Sequence, residues 1–126
     1  MVLRAINELL QLFKAGKHNN LGGTYTEEGK FEDALKEYKM ALKIKPDMAE
    51  SHFGIGAVYQ MKGKFDEAIS EYETGLALKP NDAQAHFNLA LIYKEKGYEE
   101  KVQEEFNKAK EIDPAIFEKA RRELGF

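Results

Sequence analysis

Residues 52–80, HFGIGAVYQMKGKFDEAISEYETGLALKP, read as two helices and the turn between them. His52, Ile55, Gly56 and Tyr59 fall at i, i+3, i+4 and i+7, which is one stripe of a helix. Gly63 follows, and a glycine at that point supplies the left-handed residue that commonly ends a helix. A second stripe runs through Phe65, Ala68, Ile69, Tyr72 and Leu76. Pro80 stops it, because proline cannot continue a helix. Gly56 and Ala68 are small enough to let two helices approach closely. Tyr59 and Tyr72 fill the space between neighbouring hairpins.

The same unit occurs three times. Pro46, Pro80 and Pro114 stand 34 residues apart, as do Gly29, Gly63 and Gly97. Tyr25, Tyr59 and Tyr93 keep that spacing, and so do His18, His52 and His86. In register the units are 15–48, 49–82 and 83–116. Such a period means that each hairpin buries its apolar face against its neighbours. Asp47 and Asn81, after the prolines, are expected to cap the helices that follow.

These residues resemble the signature of the tetratricopeptide repeat family. The first unit offers His18, Leu21, Gly22, Tyr25, Ala34, Tyr38, Ala41 and Pro46. The second offers His52, Ile55, Gly56, Tyr59, Ala68, Tyr72, Gly75 and Pro80. The third offers His86, Leu89, Ala90, Tyr93, Val102, Phe106, Ala109 and Pro114. The resemblance implies an all-α fold, a right-handed superhelical solenoid of three helix-turn-helix hairpins. Departures are local: Val102 replaces a small residue, and Gly75 lowers helix propensity by about 1 kcal/mol relative to alanine.

Terminal repeats need covers. Residues 115–126 are expected to form a capping helix, with Ile116, Ala120 and Leu124 at i, i+4 and i+8 and Phe117 beside them. Arg121 and Arg122 suit its carboxyl end, where the helix dipole favours cations. Residues 1–14 form an amphipathic helix. Val2, Ile6, Leu9 and Phe13 line one face with Leu3 and Leu10 beside them, and Arg4, Asn7, Glu8, Gln11 and Lys14 line the other. This helix either caps the first hairpin, meets another copy of the chain through Val2, Ile6, Leu9, Leu10 and Phe13, or lies on a membrane. Its two basic residues are few for the last role.

Composition narrows the function. The chain has 126 residues, 43% hydrophobic and 33% charged, enough for one modest soluble domain. A net charge of −3 offers no attraction for phosphate backbones, so nucleic acid is not an expected partner. Without cysteine there is no disulfide, thiol nucleophile or thiolate metal site. No apolar run approaches the ~18 residues of a membrane span, and residues 1–14 do not read as a secretory signal. A cytoplasmic location is the default expectation.

The motifs carry no chemistry. Equivalent histidines of stacked repeats lie on the order of 8–10 Å apart, too far to share one metal, so they are expected at the seam between repeats. Ser51 and Ser70 lie in no nucleophile elbow, and Gly54-Ile55-Gly56 has no strand before it, as a phosphate loop requires. No enzyme, metal or cofactor is expected. The resemblance instead implies a scaffold or adaptor that holds a protein or peptide in a concave groove lined by the first helices. The groove positions are Asn19, Asn20 and Gly23 in the first unit, with Phe53, Gly54, Ala57 and Gln60 in the second. Phe87, Asn88 and Leu91 supply the third. Phe53 and Phe87 form an aromatic floor suited to an amphipathic helix or apolar peptide, or else one or both rings fold back into the core. Co-chaperone modules of this family clamp acidic peptide tails with cations. The matching positions here, Asn19, Gly23, Gly54, Gln84 and Asn88, carry none.

Overall fold

A computed structural model describes residues 1–125, apart from the side chain of Leu124, so the place of Leu124 in the expected capping stripe lies outside the described residues. Among the described residues the regular structure is all helix, with no strand. It comprises α1 (Val2–Glu27), α2 (Phe31–Ile44), α3 (Ala49–Met61), α4 (Phe65–Leu78), α5 (Ala83–Lys96), α6 (Glu99–Ile112) and α7 (Ile116–Leu124). The chain divides into two compact units, 1–78 and 79–126. This is an all-α helical-repeat fold.

Each helix pair within a hairpin is joined in the same way. Gly29, Gly63 and Gly97 sit at φ of 75°, 74° and 78°, where only glycine avoids a Cβ clash. The residue after each glycine returns its N–H to the repeat tyrosine five positions earlier. The three bonds are Lys30 to Tyr25 O at 2.8 Å, Lys64 to Tyr59 O at 2.9 Å and Tyr98 to Tyr93 O at 2.9 Å. These six-to-one bonds satisfy carbonyls that a helix end leaves open. The Tyr and Gly that recur every 34 residues are thus two halves of one helix stop.

At the other turns the caps lie one residue later than expected. Met48, without a side-chain cap, precedes α3, and Asp82 precedes α5, where its Oδ1 accepts from the Ala85 N–H at 2.9 Å. Pro46 and Asp47 are used inside a turn that the Met48 N–H closes onto the Lys45 carbonyl at 3.2 Å.

In the first unit, α1 pairs with α2 and α3 with α4, while α3 also packs on α1 and α2. The core joins Ala34, Leu35 and Tyr38 of α2 to Ile55 and Val58 of α3. The Tyr38 ring is flanked by two glycines. A Cβ built on Gly22 of α1 or Gly54 of α3 would stand 2.6 Å or 2.4 Å from it. Gly75 of α4 does the same for the Phe53 ring, at 2.4 Å, and Phe53 stacks on Tyr72 with centroids 6.3 Å apart. Lys62, just after α3, pairs with Glu32 of α2, and that hydrogen bond and charge hold the carboxyl below its usual range. In the second unit, α7 packs on α5 and α6. It buries Ile116 and Ala120 and sets Phe117 against Phe106 at 5.9 Å.

The amino-terminal amphipathic stretch is not a separate element. It and the first helix of the first hairpin are one helix of 26 residues, because no proline stands at the junction and a single Gly16 there is tolerated inside a helix. At 1.5 Å per residue α1 is about 39 Å long, and its antiparallel partner α2 only about 21 Å. The first fourteen residues overhang the hairpin and are exposed.

Candidate functional site

The three histidines brace their own hairpins rather than the seam between repeats. His18 Nδ1 lies 2.6 Å from Glu37 Oε2, His52 Nδ1 lies 2.9 Å from Glu71 Oε2, and His86 Nδ1 lies 2.6 Å from Glu105 Oε2. Each pair is 19 residues apart and links the first helix to the second. The other ring nitrogen reaches back to the preceding proline carbonyl, Pro46 at 3.3 Å from His52 and Pro80 at 2.9 Å from His86. A carbonyl and a carboxylate both accept, so the imidazolium form makes both bonds at once. Lys108 adds a third group beside Glu105, at 3.3 Å. Burial pulls its ammonium down, but attraction to Glu105 and Glu104 outweighs that and leaves it above the usual lysine value.

His86 is the most enclosed of the three. Replacing it by alanine leaves the Pro80 carbonyl and one side of Glu105 without a donor. The expected loss is about 1–3 kcal/mol, measured by urea unfolding. The same change at the more open His18 is expected to cost less.

The groove positions divide by their place in the repeat. Asn19, Phe53 and Phe87 are equivalent, and all three turn to structural use. Asn19 Oδ1 accepts from the hydroxyl of the fully buried Ser51 at 3.0 Å, tying α1 to α3. Phe53 is half-buried over Gly75 and Tyr72. Phe87 is 1% exposed, with the Lys119 ammonium 5.4 Å from its ring centre. The folded-back alternative therefore describes Phe87 as it stands.

The next equivalent set is Asn20, Gly54 and Asn88. Asn20 is exposed and borders a shallow cleft of about 420 Å³ with Phe13, Lys17 and Thr24. Gly54 makes room for Tyr38. Asn88 is half-buried, and its Oδ1 accepts from Gln84 at 3.0 Å. Gly23, Ala57 and Leu91 form a third set, and all are half-buried. Gln60, also half-buried, accepts from the Tyr72 hydroxyl at 3.0 Å. Among the exposed residues of these helices are Asn20, Gln84, Glu50, Met61, Lys94 and Glu95, and Ala57 and Leu91 are half-buried.

Sequence inspection overlooked Glu37, Glu71 and Glu105. They too recur every 34 residues, but lie among many other acidic residues of the second helices.

The chain matches the family model described as "TPR repeat" over residues 22–63 and 61–97, and the one described as "Tetratricopeptide repeat" over 83–116. Among solved structures it is similar to the first TPR of Spaghetti (RPAP3), bound there to the HSP90 peptide SRMEEVD. That likeness has a TM-score of 0.76 at 20% identity and covers 80% of each chain. It is also similar to MamA, with a TM-score of 0.75 at 24% identity over 85% of this chain and 63% of that one. MamA of AMB-1 gives 0.68 at 30% identity over 77% of this chain and 53% of its own. No curated protein sequence is significantly similar to this chain.

Proposed function

The chain belongs to the tetratricopeptide-repeat family, and we infer from that membership that it is a non-enzymatic protein-interaction module holding a partner peptide or helix in a concave groove. The observation that carries this reading is the third equivalent set. Gly23, Ala57 and Leu91 stay half-exposed, as does Phe53, while Phe87 is drawn inward. Asn20 shares α1 with Gly23, Gln60 shares α3 with Ala57, and Gln84 and Asn88 share α5 with Leu91. Amide side chains both donate and accept, so they suit the main chain of an extended segment, with Ala57 and Leu91 taking its apolar side chains.

The acidic-tail ligand of the RPAP3 domain does not transfer. The likeness is one of fold, and Asn19, Gly23, Gly54, Gln84 and Asn88 provide no cation to meet a carboxylate. The ligand proposed here is a neutral or mixed-charge peptide. Self-association through α1 would use Val2, Ile6, Leu9, Leu10 and Phe13, of which Phe13 also borders the cleft beside Asn20.

Selection from a random peptide library on the native chain is expected to yield binders that Leu91→Glu weakens at least tenfold, by fluorescence anisotropy. Leu91 is only half-buried, so the variant is expected to keep its helical circular dichroism. Affinities unchanged by both Leu91→Glu and Ala57→Glu would remove the groove from the account.

A further inference from the structure

We propose that the overhang of α1 pairs with the overhang of a second copy of this chain, antiparallel and about a two-fold axis. The starting observation is that residues 2–14 are helical yet exposed on every side, with Ala15 the first buried residue. A helix of that length without tertiary packing is marginal in water. The overhang nevertheless carries Val2 at 74% exposure, Leu3 at 77%, Leu9 at 67% and Phe13 at 74%, with Ile6 and Leu10 also exposed. Together they present on the order of 700 Å² of apolar surface, above the ~300–600 Å² of the largest patch on a typical monomer. A standard interface buries ~800 Å² per partner, and this patch alone comes close to that.

The pattern fits a helix of the same kind. Val2, Ile6, Leu9 and Phe13 are spaced 4, 3, 4, the seam of a two-stranded coiled coil. Leu3, Ala5, Leu10 and Leu12 flank the seam, so no charge falls on it or beside it. Arg4, Glu8 and Lys14 lie on the far face, where Arg4 and Glu8 pair at 3.3 Å. That far face points toward the hairpin. Arg4, Asn7, Glu8 and Gln11, together with Leu12, border a cleft of about 580 Å³ closed by Ile44 and Lys45 at the end of α2. The apolar stripe therefore faces away from the chain's own second helix.

Orientation follows from side-chain size. With the axis between residues 7 and 8, Val2 meets Phe13 and Ile6 meets Leu9 of the other copy. Large then faces small, and the helix dipoles oppose. A parallel pair would set Phe13 on Phe13. The two-fold operation uses the same patch on both copies and closes the assembly at two.

Sedimentation and light scattering across a concentration series test this proposal. The native chain is expected at twice 14.4 kDa, and Ile6→Glu with Leu9→Glu is expected to restore 14.4 kDa without changing the unfolding midpoint of the hairpins. Because the chain has no cysteine, single cysteines report orientation. Val2→Cys mixed with Phe13→Cys is expected to cross-link, and Val2→Cys alone is not. A native monomer at the highest concentration, a larger assembly, or efficient cross-linking of Val2→Cys to itself overturns the proposal. A monomer that co-sediments with vesicles of phosphatidylcholine and phosphatidylserine overturns it too, and places lipid on that face.

Discussion

Tyr38→Ala is expected to cost about 3–5 kcal/mol, the range for removing a buried aromatic side chain. A domain of this size has only ~5–15 kcal/mol of stability to lose. The ring is 6% exposed, and it lies among three of the first unit's four helices: its own α2, α1 at Gly22 and α3 at Gly54. Two glycines on rigid helices cannot move in to fill the space, so the cavity stays open and the cost falls at the upper end. Urea unfolding of the first unit should show it directly. A loss below about 1 kcal/mol would mean that the helices collapse onto the gap.

The converse change, Gly54→Ala, is expected to destabilise by about 1–3 kcal/mol, although alanine is the better helix former by about 1 kcal/mol. Its methyl would stand 2.4 Å from Tyr38, and the ring cannot retreat without meeting Gly22. Gly16→Ala provides the contrast. No atom lies within 4 Å of its added carbon, and the expected effect is a gain of up to ~1 kcal/mol. Opposite signs for one substitution in two helices, read from urea midpoints, would establish that packing and not propensity decides at Gly54.

The hairpins were legible in the sequence because local chemistry makes them. The glycine stop, the tyrosine whose carbonyl it completes and the proline after the second helix all recur at one period. Packing between helices was less legible. Gly75 reads as a weakness in isolation, and only the position of Phe53 across the hairpin shows that a side chain there would collide. The inward turn of Phe87 is hidden for the same reason, since aromatic residues serve floor and core equally well. The continuity of α1 could not be read from periodicity, which registers where an apolar face changes and not whether the backbone bends there. The histidines were visible, but their Glu partners were masked by the acidic residues around them.

Hydrogen exchange on the chain with and without a library-selected peptide tests the proposed module most directly. Slowed exchange is expected on the first helices of the hairpins, around Gly23 in α1, Ala57 in α3 and Leu91 in α5, with α2, α4 and α6 little changed. Protection confined to the second helices, or to residues 2–13 of α1, would contradict a groove-binding function.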